Sequence, residues 1–119
     1  MDNVTLFNLL YDCYGELLTE KQREIFELYY FHDLSLKEIA EHYDITRQGI
    51  HDIIRRAQYV LNKYENKLGM VSKLINMENR IQKVMADVKR LEPDIPVEQR
   101  KRLQSIYKDL AMILKQGGE

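Results

Sequence analysis

Leu34-Ser35-Leu36-Lys37-Glu38-Ile39-Ala40-Glu41-His42-Tyr43-Asp44-Ile45-Thr46-Arg47-Gln48-Gly49-Ile50, residues 34–50, is the stretch on which the fold turns. Ser35 followed by Glu38 is a capping box: the hydroxyl accepts from the Glu38 amide while the carboxylate reaches back to the Ser35 amide. Leu36, Ile39, Ala40 and Tyr43 then recur at helical spacing. Asp44-Ile45 forms a turn, and Thr46 caps the next helix. Two helices crossing steeply through so short a turn need a small residue at their closest approach and an apolar residue inside the bend. Ala40 and Ile45 supply these, and Ile50 packs back under Ile39. With those positions inward, the second helix must turn Arg47, Gln48, His51, Asp52, Arg55 and Arg56 outward. Arginine and glutamine suit guanine and adenine edges in the major groove, the place such a helix enters. An ordinary solvated helix face carries the same residue types, so composition alone does not separate the two readings.

Outward from this motif the chain reads as helix throughout. Val4–Tyr14 places Leu6, Leu9, Leu10 and Cys13 at helical spacing, with Asn3 or Thr5 as cap and Gly15 as its end. Thr19 and Gln22 form another capping box, opening a helix to about Phe31 with Ile25, Leu28 and Tyr29 on one face. The helix from Thr46 turns Ile50, Ile53, Ile54, Ala57 and Leu61 inward and runs to Leu68, where Gly69 stops it. Beyond it Met70, Leu74, Met77, Ile81, Val84, Val88 and Leu91 form a heptad seam. Pro93-Asp94-Ile95-Pro96 breaks that helix, and a last one from about Val97 to Lys115 carries Leu103, Ile106, Leu110 and Ile113. The fold class is all-α: a helical bundle with a helix-turn-helix over residues 1–68, then a helical hairpin over 69–119.

Charge is distributed unevenly. The 119 residues sum to −1, yet residues 1–45 are acidic and the basic balance begins at Thr46, with Arg47, Arg55, Arg56, Lys63 and Lys67 against Asp52 and Glu65. The near-neutral total argues against a protein that only grips phosphates, whereas the segmental charge argues for a nucleic-acid contact. No apolar run is long enough to span a bilayer and no secretory leader is visible, so the expected location is the cytoplasm. Cys13, the single cysteine, is expected to pack as a small apolar residue. His32, His42 and His51 lack the spacing and cysteine partners of a metal site. No nucleophile–base motif or glycine-rich phosphate loop occurs, so neither an enzyme nor a cofactor or small-molecule substrate is expected.

The stretch from about Thr19 to Leu61 resembles DNA-binding region four of bacterial sigma factors, through its "leucine-serine-x-x-glutamate-isoleucine-alanine" form. The whole chain, including YDCYGELLTEKQ and YYFHDLSLKEIAE, is closer still to the YlxM-like family of small helix-turn-helix proteins from Gram-positive bacteria. The resemblance implies a regulator of duplex DNA, with a part in the signal recognition particle pathway because the family's gene lies beside genes of that particle. It implies that Arg47, Gln48, His51 and Arg55 face bases or phosphates, with Thr46 against the backbone. Two residues depart from the pattern. Asp44 stands where such turns usually have a left-handed glycine, at roughly 1 kcal/mol. Asp52 puts a negative charge on the reading face, where it can accept from cytosine but repels phosphate. The alternative reading is an accessory protein that binds the particle's RNA or protein parts.

Most of the eight tyrosines are expected to bury their rings between helices, although aromatic rings can also stack on unpaired bases. The basic run Arg100-Lys101-Arg102 reads more readily as a solvated face than as a phosphate patch. The heptad seam suits an antiparallel hairpin, a second chain, or both. A homodimer through the C-terminal helices is expected, because two helices alone bury a thin core.

Overall fold

The computed structural model describes residues 2–117. Six helices follow one another among them: α1 (Asn3–Tyr14), α2 (Glu20–Tyr30), α3 (Leu36–Tyr43), α4 (Arg47–Leu68), α5 (Met70–Leu91) and α6 (Val97–Gly117), with 3-10 turns at Gly15–Leu17 and Glu92–Asp94. The contacts divide the chain into two compact units, Met1–Val71 and Ser72–Glu119.

In the first unit the helix starts follow the side-chain chemistry read from the sequence. Both reciprocal capping boxes form, Thr19 with Gln22 and Ser35 with Glu38, and Thr46 accepts from the Gly49 amide at 3.0 Å. At α1 the cap is Asp2 rather than Asn3 or Thr5. Its carboxylate accepts from Thr5 N at 2.7 Å, so the helix begins a residue earlier. Gly15 keeps an ordinary right-handed φ of −58°. Its need for glycine is steric, since a Cβ there would stand 2.9 Å from the Tyr11 ring.

Ile25, Ile39, Ala40, Ile50 and Ile54 form one buried cluster, with Leu36, Tyr43, Ile45 and Ile53 packed around it. Leu10, Tyr14, Leu18, Phe26, Ala57, Leu61 and Val71 are buried as well. Two expectations are corrected here. Phe26 is fully buried whereas Tyr29 sits at the rim, because α2 is covered on a second side where Tyr11 stacks on Phe26 at 5.0 Å. Cys13 is exposed, because the inward stripe of α1 is carried by Leu10 and Tyr14 and leaves Cys13 beyond its edge.

The first unit extends past Gly69 through hydrogen bonds made by Glu65 and Tyr14. Glu65 accepts from Tyr14 OH at 2.7 Å and from Val71 N at 3.0 Å, and Met70 N donates to the Tyr14 oxygen at 3.1 Å. The amides that open α5 are thereby tied to α1 and α4, and Val71 is buried with them.

The second unit is an antiparallel hairpin of α5 and α6. Lys89 lies over the Tyr107 ring at 5.0 Å, and Gln104 donates to Glu92 at 3.3 Å. Arg100 Nε donates to the Ile95 carbonyl at 3.0 Å across the bend. Leu103 and Leu110 are half-buried as expected, but Ile106 and Ile113 are exposed, and Tyr107 and Leu114 take the inward places.

Candidate nucleic-acid interface

The geometry of the site starts at the turn between α3 and α4. Asp44 takes the left-handed conformation, φ 55° and ψ 45°, which the position requires for α3 to end and the chain to reverse. The amide of Ile45 then donates to the Ala40 carbonyl at 3.1 Å, and the Ile45 side chain packs into the cluster. Gly49, which no cap or apolar spacing marks, sits beside it. A Cβ on Gly49 would lie 2.6 Å from Ile45 Cγ2, so the crossing relies on Gly49 as well as on Ala40.

Helix α4 has 22 residues and a length of about 33 Å at 1.5 Å per residue. Its buried side is Ile50, Ile54, Ala57 and Leu61. At 3.6 residues per turn the opposite side is Gln48, Asp52, Arg55, Tyr59 and Lys63, and all five are exposed. Arg56 is exposed beside that row, whereas Thr46 and Arg47 are exposed at the start of α4, where Arg47 lies on the side that faces α3. His51 is the exception. It is half-buried at the edge of the stripe, with Nδ1 sealed from solvent and without a hydrogen-bond partner among the described residues.

The electrostatics are mixed. Arg47, Arg55 and Arg56 give the first half of α4 three guanidinium groups, while Asp52 accepts from Gln48 Nε2 at 3.0 Å. That bond holds the Gln48 amide against the helix, and a base would have to compete for it. Beside the helix start, Lys37 and Arg47 line an open cleft of about 310 Å³ with Glu41 and Asp44. Its two acids offset its two cations, so phosphate attraction is concentrated farther along α4. Tyr59 is 67% exposed and so falls outside the majority of tyrosines expected to bury their rings. Its signal was present in the spacing: residues 48, 52, 55, 59 and 63 share one face at intervals of four and three.

With this geometry in view, a family model described as "Putative helix-turn-helix protein, YlxM / p13 like" matches residues 1–102. The chain belongs to the UPF0122 family. A UPF0122 protein of Acetivibrio thermocellus is 40% identical over 116 residues, covering 97% of this chain and 99% of that one. One from Caldanaerobacter subterraneus subsp. tengcongensis is 53% identical over 83 residues, 70% of this chain and 71% of the relative. One from Desulforamulus reducens is 61% identical over 66 residues, 56% of each chain. Within this UPF0122 member no described helix is long and apolar enough to cross a membrane. No group of three or more His, Cys, Asp or Glu among the described residues is placed to hold a metal ion.

Proposed function

We propose that this chain is a non-enzymatic, DNA-binding regulatory protein of the cytoplasm, reading duplex DNA with the first half of α4. The observation that supports it is the outward face of that helix. Gln48, Asp52, Arg55 and Arg56 stand exposed on a helix whose other side is locked into the cluster by Ile50 and Ile54, and Arg47 is exposed at its start. A helix so held can present side chains to a groove without paying a large ordering entropy. In this reading Arg55 and Arg56 meet phosphates or guanine edges, Gln48 reads a base after leaving Asp52, and Thr46 and Arg47 meet the backbone; His51 contacts DNA through its exposed edge. The reading includes a homodimer, which presents two reading helices to a paired half-site.

Fluorescence anisotropy with labelled duplex DNA at two salt concentrations tests it. Binding should weaken steeply with salt, and Arg55→Ala should weaken it further while lowering the salt slope by about one. Duplex affinity that is absent at low salt overturns the reading.

A second reading has its own observation. Exposed Tyr59 stands in line between Arg55 and Lys63, an arrangement that suits stacking on unpaired bases beside a phosphate chain. An accessory role on the RNA of the signal recognition particle, or on its proteins, would use this surface. Tyr59→Ala separates the two, since it should reduce affinity for an RNA with unpaired bases and leave duplex DNA binding nearly unchanged.

A further inference from the structure

Among the described residues beyond Val71 no side chain is fully buried, so the hairpin of α5 and α6 has no closed core of its own. Helices of this kind draw most of their stability from packing an apolar face, and a two-helix unit is too thin to do so alone. What remains uncovered is regular. On α5 the seam splits into two rows: Leu74, Ile81 and Val88 are half-buried, whereas Met77, Val84 and Leu91 are exposed. On α6 Leu103 and Leu110 are half-buried, whereas Ile106 and Ile113 are exposed.

At about 100° per residue each exposed row follows its half-buried row by three positions, so it lies roughly 60° round the helix in the same rotational sense on α5 and α6. The helices run antiparallel, as the Lys89–Tyr107 and Glu92–Gln104 contacts require. Offsets of like sense on antiparallel helices fall on the same side of the pair. Met77, Val84, Leu91, Ile106 and Ile113 therefore share one face, each between 47 and 55% exposed. The other side of the hairpin is lined by Gln82, Lys89, Gln104 and Lys108.

We infer that this apolar face is covered by the same face of a second copy, closing a four-helix bundle. This deepens the homodimer of the proposed reading by naming its surface. A row repeating every seven residues on both helices offers the knobs and holes that an identical helix pair fills, and a two-fold contact needs only one self-complementary patch. The five side chains and the half-buried rows beside them expose on the order of several hundred Å², which with a polar rim approaches the ~800 Å² that each partner gives a specific interface.

Light scattering of the full chain at micromolar concentration should return twice the 14.3 kDa monomer mass. Val84→Glu with Ile106→Glu should weaken association by about two orders of magnitude. Val84→Ala with Ile106→Ala keeps helix propensity and should weaken it by about tenfold; it is the variant to read if circular dichroism shows the glutamate pair unfolded. Gln82→Glu with Lys108→Gln, on the other side, should remain dimeric. A 14.3 kDa mass for the unaltered chain overturns both the dimer and this face, and leaves the face to a different partner. A dimer equally tight in a folded Val84/Ile106 variant overturns the face alone. DNA binding is read separately by anisotropy, so neither mass result is confused with failure of the DNA reading.

Discussion

At Gly49 a single methyl group has nowhere to go, since the Cβ would stand 2.6 Å from Ile45 Cγ2 and 3.2 Å from Thr46 Oγ1. Alanine gains about 1 kcal/mol of helix propensity over glycine, but overpacking against a stiff β-branched neighbour costs about 1–3 kcal/mol. Gly49→Ala should therefore lower stability by about 1 kcal/mol, measured by urea unfolding, and an unchanged midpoint would show that Ile45 yields. The opposite sign is expected at Asp44, whose φ of 55° strains any residue with a Cβ. Asp44→Gly should raise stability by about 0.5–1 kcal/mol in the same assay. The Asp44 conformation was legible through the resemblance to sigma factor region four, whose turns usually have a left-handed glycine there. The role of Gly49 was not, because it depends on which rotamer Ile45 takes once the core has closed.

Helix α4 combines a structural half-cylinder with an outward one, and mutations on the two should separate cleanly. Thr46→Ala removes the oxygen that accepts from Gly49 N and should cost about 1 kcal/mol of stability. Arg55→Ala and Arg56→Ala lie on exposed positions and should leave the melting temperature within error while reducing duplex affinity. An arginine variant that melted several degrees lower would mean that the side chain supports the fold instead. Helix bounds and caps were readable because Thr19, Ser35 and Thr46 act within three residues of themselves. The placement of Phe26, Cys13 and Ile106 was not, because one periodic stripe does not say how many neighbours a helix will have.

On the scale of the molecule, the first unit is tied together by phenols. Burial, reinforced by the Glu27, Glu65 and Glu24 carboxylates, pushes the Tyr11, Tyr14 and Tyr43 hydroxyls above the ordinary value of 10.0. Because the folded values are raised, their contribution is fully present below pH 10 and is lost as pH climbs above it, where the unfolded chain ionises first. Urea unfolding between about pH 9 and 11 should show stability falling with pH, and Tyr14→Phe should flatten part of that fall. The same variant removes the acceptor for Met70 N and the donor to Glu65, at a cost of about 1–3 kcal/mol.

Sequence by itself determined the helical class, the capped starts of α2, α3 and α4, the helix-turn-helix and most of the residues able to stand outside it, since caps, periods and turns are local in the chain. Only the tertiary structure decided that α2 is buried on two sides and that His51 is half-buried at the edge of the inward stripe. It alone showed that half of the C-terminal seam is left uncovered. Burial is a property of neighbours brought together from distant positions, and a helical period fixes a direction without fixing what lies there.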